Sequence, residues 1–152
     1  MSFDVEGDDA DLNKASGYWV KVFNGMGVGL FSSLIVGLIL RQVGTYCDLP
    51  LLAKLGSVAQ IMMGPAIAAG IAHAIEAPPL AVFSVLVVGA VGAGTFDGPV
   101  PVSGEPMGAA VAALVGAQVG KWVRGNGGSI DILLVPLATI VCGGLTAVGV
   151  AP

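Results

Sequence analysis

The sequence predicts an all-α fold: a polytopic membrane helix bundle of about five transmembrane helices, with a short Pro/Gly-rich loop between the third and fourth. Three observations carry that expectation. Five long apolar runs, nearly free of charge, fill the chain after residue 20. Hydrophobic residues make up 55% of the chain and charged residues 11%, where a soluble domain carries about 25% charged residues. A soluble fold of this size has too little interior to hide that much apolar surface. Finally, the runs are separated by charges, prolines and short polar turns, as helix ends at a bilayer surface should be.

The elements follow in order. Residues 1–20 hold half of the acidic side chains, Asp4, Glu6, Asp8, Asp9 and Asp11, and read as a solvated, disordered tail. The tail lacks the basic start of a secretory signal, so the first helix is expected to stay in the mature protein. Residues 21–152 read as one transmembrane domain. Its apolar runs are Val22 to Leu40, Leu51 to Ile75, Leu80 to Phe96, Met107 to Val119 and Ile132 to Val150. Crossing the hydrocarbon core takes about 20 residues, with a floor of about 17. The first, second and fifth runs meet that length, the third is borderline, and the fourth reaches it only by including Trp122 and Val123 around Lys121.

Orientation follows from the cations. Lys14 and Lys21 precede the first run, Lys121 and Arg124 follow the fourth, and Arg41 and Lys54 fall in the first loop. Five spans with a cytoplasmic N-terminus put four cations inside and two outside, the bias expected of cytoplasmic loops. Tyr18, Trp19 and Trp122 stand beside lysines, as interfacial aromatics do.

The runs are patterned for close packing. Gly25, Gly29, Ser33 and Gly37 recur every fourth residue in the first, and Gly108, Ala112, Gly116 and Gly120 in the fourth. Each set lies on one helical face, and small faces let helices in lipid approach and gain dispersion contact. Gly64-Pro65 inside the second run and Pro136 inside the fifth should bend or break their helices. Carbonyls freed in that way must find partners, as they do at transporter binding sites.

Few polar residues remain at membrane depth, and these are the candidate solute-binding residues: Asn24, Gln60, His73, Glu105 and Gln118. His73 and Glu76 are three apart and are expected on one face. Glu105 stands in the turn-rich segment from Asp97 to Pro106, just before a proline that suits a helix start. Either it caps that helix in an external turn, or the segment dips into the bundle and offers the carboxylate to a solute.

No catalytic, nucleotide-binding or zinc motif is present in the sequence, so the expectation is no enzyme activity, no cofactor, no metal and no nucleic-acid partner. Cys47 and Cys142 have no C-x-x-C spacing and read as packing residues.

Four segments carry a resemblance. Lys21-Val22-Phe23-Asn24-Gly25-Met26-Gly27-Val28-Gly29, Gly104-Glu105-Pro106-Met107-Gly108-Ala109, Val115-Gly116-Ala117-Gln118-Val119-Gly120-Lys121 and Asp131-Ile132-Leu133-Leu134-Val135-Pro136-Leu137 resemble the PfoR-like EIIC family of membrane permeases. That family is associated with the bacterial phosphotransferase system, and some members are labelled as regulators of toxin expression. The resemblance runs from about Lys21 to the end and is densest from Gly104 to Gly144. It implies a multi-pass protein of the bacterial inner membrane that takes up a sugar or small polar solute, with soluble phosphotransferase components as partners. The chain resembles the N-terminal half of such a permease, which implies a homo-oligomer or a complementary permease half. Nothing in it resembles a phosphocarrier domain, and Cys47 has no phosphate-cradling surroundings. Two other readings stand beside the permease: a non-transporting regulatory or assembly subunit, and a truncated or split half inactive alone.

Overall fold

The structure, a computed structural model, describes residues 5–124 and 130–150. All regular structure among these is helical: α1 (Val5–Leu30), a π-helical turn (Phe31–Ile35), α2 (Val36–Tyr46), α3 (Pro50–Ile61), α4 (Met63–Ala74), α5 (Pro79–Gly92), α6 (Pro106–Val123) and α7 (Asp131–Val150). Each of the five apolar runs thus maps onto one helical unit, the first being α1 with the π turn and α2, and the second α3 with α4, although the third run continues four residues past the end of α5.

The expected count of five spans is not confirmed. Among the described residues two helices, Ala10–Tyr46 and Asp131–Gly149, are long and apolar enough to cross a membrane, and a third crossing is added if α3 and α4 count as one bent span. α5 has 14 residues, about 21 Å at 1.5 Å per residue, against a hydrocarbon core of about 30 Å. The acidic segment expected as a disordered tail is helical from Val5 onward, as the first turns of α1. Acidic side chains are favourable at a helix N-terminus, where the macrodipole is positive.

The helix break falls where proline chemistry puts it. α3 and α4 meet at 55°, with Met62 as the joint at φ −77°, ψ 9°. Pro65 is three residues further on; it lacks an N–H, and its ring crowds the carbonyl four residues back, that of Ile61. Pro136 lies inside α7 without ending it. Directly across from the break, the long first helix is itself irregular. Ser32 and Ser33 both donate their hydroxyls to the Gly29 carbonyl, at 3.1 and 2.7 Å, and that competition for a backbone acceptor accompanies the π turn over Phe31–Ile35.

Both expected small faces are contact faces. A Cβ on Gly25 would meet Gly70 and Ala74, and one on Gly29 would meet Ala66, so α1 packs on α4. Gly37 faces Gly56 and Ala59, and Gly44 faces Ala53, so α2 packs on α3. Gly64 lies against Gly89, Gly92 against Gly108, and Gly120 against Ala81, which joins α4, α5 and α6. Gly116 and Gly143 carry α6 and α7 together. The core is centred on α4 and α5, where Met63, Ile67, Ile71, Val85 and Val88 are buried.

Three helices end on the same device. The N–H of Leu49 reaches Gly44 O, that of Ala77 reaches Ala72 O, and that of Thr95 reaches Ala90 O. The residues in the left-handed conformation at these ends are Asp48 (φ 54°), Glu76 (φ 58°) and Gly94 (φ 66°), the position usually held by glycine in a Schellman cap.

Candidate functional site: a cavity at the helix break

The loop from Ala93 to Glu105 is tied down. Glu105 N donates to Ala93 O at 2.8 Å, Val102 N to Thr95 O at 3.2 Å, and Asp97 N to Gly94 O at 3.3 Å. A Cβ on Gly104 would overlap the Ala93 carbonyl, so only glycine lets the loop lie this close to the end of α5. The loop reaches sideways to the α2–α3 hairpin. There Pro101, Val102 and Ser103 meet Arg41, Ser57, Gln60 and Ile61 around a cavity of about 250 Å³.

The chemistry of this cavity is donor-rich. Arg41 Nη1 donates to Gln60 Oε1 at 3.4 Å, a long bond that leaves the remaining guanidinium N–H groups for other acceptors. Ser57 donates its hydroxyl to Ala53 O at 3.0 Å and keeps its oxygen as an acceptor. Ile61 is the residue whose carbonyl has no N–H four positions on, because Pro65 stands there. Ser57 to Ile61 lie about 11–17 Å along the helix from Pro50, at 1.5 Å per residue. That is partway along the bent α3–α4 pair, well below the tip of the hairpin.

Of the five candidate residues read from the sequence, Gln60 alone lines this cavity. Glu105 is exposed on the same loop, two residues past Ser103. It is the N-cap of α6 by position, yet its side chain makes no capping hydrogen bond. Asn24 is exposed on α1. Gln118 and His73 belong to the opposite end of the bundle. Gln118 Nε2 donates to the Tyr18 hydroxyl, joining α6 to α1. His73 is exposed in the last turn of α4. The expectation that His73 and Glu76 share a helical face is corrected, because α4 ends at Ala74 and Glu76 lies beyond it with φ 58°. Glu76 instead approaches Lys21, with Oε1 4.0 Å from Nζ. Lys121 Nζ donates to Ile75 O at 2.8 Å, placing a cation at the negative end of α4.

Sequence reasoning missed Arg41, Ser57 and Ser103. Arg41 reads as a loop residue if the first helix stops at Leu40, yet α2 runs to Tyr46. One signal was available: Gly44 extends the small face of Gly37 by seven residues, two helical turns. Among the described residues, no group of three or more His, Cys, Asp or Glu could hold a metal ion.

The comparisons with known proteins bear on the whole chain. No curated protein and no solved structure matches it. A family model described as Phosphotransferase system, EIIC matches residues 20–152, which covers the small-residue faces, the helix break and the loop described above. The chain is a member of the phosphotransferase system EIIC family, and so a membrane transport component of that system.

Proposed function

We propose that this chain moves a sugar or a similar small polar solute across the bacterial inner membrane, and that the solute meets it at the cavity between the α2–α3 hairpin and residues 101–103. In this reading α5 and α6 form a short hairpin that enters from the end carrying Lys21 and Lys121 and turns back at the cavity. The observation that carries the reading is the meeting of three separate segments there. Arg41 supplies donors, Gln60 an amide, Ser57 and Ser103 hydroxyls, and a polyhydroxylated solute needs both donors and acceptors in a concave site. Glu105, on the same loop, is the carboxylate placed to enter the site when the loop moves. The N-terminus is cytoplasmic, and soluble phosphotransferase components act from that side. Asn24, His73 and Gln118 are left outside the solute site, as structural or interfacial residues.

The test is uptake by proteoliposomes containing this chain, together with a complementary permease half where the complete permease has one, over a panel of hexoses and polyols. Gln60→Leu and Ser103→Ala should each lower uptake of the accepted solute at least tenfold while leaving detergent elution unchanged. Gln118→Leu, at the far end, should not. Equal uptake by Gln60→Leu and wild type would remove the cavity from the path. The alternative, a regulatory or assembly subunit that transports nothing, draws on the exposure of Glu105 and the scatter of Asn24, His73 and Gln118. An intact assembly that takes up no solute of the panel would favour it.

A further inference from the structure

The cavity at the helix break holds a charge that nothing in the protein answers. Among the described residues of its wall, Arg41 is the one charged side chain. Its guanidinium makes one hydrogen bond, the 3.4 Å bond to Gln60 Oε1, and among the described residues it forms no ion pair. Most of its N–H fork is therefore open. Glu105 follows on the same loop as Ser103, but it does not line the cavity.

The arginine does not reach for the nearest headgroups. A Cβ on Gly56 would meet the Arg41 backbone, so the two residues are level, about 9 Å below the hairpin tip at 1.5 Å per residue from Pro50. α2 runs toward that tip, and a helical side chain leans toward the N-terminus of its own helix, so Arg41 leans away from the tip. Its partner Gln60 stands four residues, about 6 Å, farther from the tip than Gly56. A snorkelling arginine would turn the other way. An unpaired cation at such depth is costly and marks the place of a counter-charge that arrives with a ligand. Lys54 is exposed seven residues before Ile61, hence on the same face of α3, and adds positive charge between the cavity and the tip.

Resting on the reading of this cavity as the solute site, we infer that the solute is a sugar acid, a polyhydroxylated molecule with one carboxylate that pairs with Arg41 while its hydroxyls meet Gln60, Ser57 and Ser103. The guanidinium fork matches a carboxylate through two parallel N–H···O bonds, charge-assisted and roughly twice as strong as neutral ones. One cation in the wall balances one negative charge. A phosphate, carrying about −1.5 to −2 at neutral pH, would bring more charge than the wall answers. A neutral hexose would leave the guanidinium unpaired.

The experiment is equilibrium binding to the full chain in lipid nanodiscs, with its complementary permease half where it has one, over matched pairs: glucuronate against glucose, galacturonate against galactose, gluconate against sorbitol. At least one acid should bind about tenfold or more tightly than its neutral partner. Arg41→Gln should bring that ratio close to one. Arg41→Lys keeps the charge without the fork, and its ratio should fall between those of wild type and Arg41→Gln. An undiminished ratio in either variant that elutes as folded overturns the inference, and so does tighter binding of glucose 6-phosphate than of glucuronate. Neutral sugars bound as tightly as their acids, with binding still lost in Gln60→Leu, overturn the sugar acid and leave the solute cavity standing. Binding of no sugar, polyol or acid removes both.

Discussion

Replacing Gly92 with alanine should loosen the contact between α5 and α6 and lower the stability of the folded chain. A Cβ at this position would lie 2.6 Å from Gly108 O and 2.8 Å from the Ala112 Cβ, whereas non-bonded heavy atoms settle at about 3.5–4.0 Å. The two helices must part by roughly 1 Å to admit it, and overpacking of that order costs about 1–3 kcal/mol. Alanine returns about 0.8–1 kcal/mol over glycine inside a helix, leaving a net loss of about 1 kcal/mol in the middle of these ranges. Gly144 is the internal control. It lies inside α7 with nothing within 4 Å of an added Cβ, so Gly144→Ala keeps only the propensity gain and should stabilise by up to about 1 kcal/mol. The assay is the midpoint of thermal unfolding in one mild detergent, read by the loss of the folded peak in size exclusion. Shifts of opposite sign are expected. A Gly92→Ala midpoint equal to or above that of Gly144→Ala would refute the claim that helix approach, rather than helix propensity, sets stability here.

Gly116→Leu, in the small-residue stripe of α6, should also lower the midpoint, but Gly116→Ala should be far milder than Gly92→Ala, because its added Cβ would come no closer than 3.3 Å to Thr139 O. Glu76→Gly should stabilise the fold by up to about 1 kcal/mol and so raise the midpoint, since glycine takes the left-handed cap without the Cβ penalty and the ion pair it removes is exposed and 4.0 Å long, worth little; a lower midpoint would mean that Lys21–Glu76 matters more than the cap. In a version lacking Cys47 and Cys142, a cysteine at Ser103 should react with an impermeant thiol reagent from outside intact cells and one at His73 should not, and the reverse pattern would invert the orientation. Pro65→Ala restores the missing N–H and should lengthen the distance between spin labels at Lys54 and His73; an unchanged distance would show that tertiary packing, not proline, sets the 55° bend.

What was legible in the sequence was whatever depends on periodicity. The small faces of Gly25–Gly37 and Gly108–Gly120 could be read because a four-residue repeat fixes a helical face wherever the helix ends up. Their partners could not, since Gly70, Gly56 and Gly92 gain meaning only once the chain has folded back. The break near Pro65 was legible, though its place at Met62 follows from the proline's effect on the preceding turn. Span count was not, because apolar composition does not separate a helix that crosses a bilayer from one of 14 residues buried among its neighbours. The candidate site was half legible. Gln60 and the loop before Pro106 stood out as polar or turn-rich, but Arg41 looked like an ordinary loop cation until α2 carried it past the hydrophobic run.

The break, the π turn and the cavity belong to one depth, and a common cause links them. Gly29 meets Ala66 and Gly37 meets Gly56, so the π turn between them lies opposite the Met62 joint. Tight glycine contacts above and below hold the two irregular segments in register, which is why neither can straighten alone. An interrupted helix leaves backbone groups without intrahelical partners, and in a low-dielectric setting each must be met or paid for by several kcal/mol. The carbonyl that Pro65 deprives of its i+4 donor belongs to Ile61, a residue of the cavity wall, beside the donor-bearing Arg41 and the amide of Gln60. A polar space beside this position accommodates the proline, and the 55° bend in turn shapes that space. Proline, arginine and loop should therefore fail together: restoring the N–H with Pro65→Ala and removing the donors with Arg41→Leu should each abolish the effect of the other on solute uptake, whereas independent, multiplicative losses would show that the bend and the cavity are separate features.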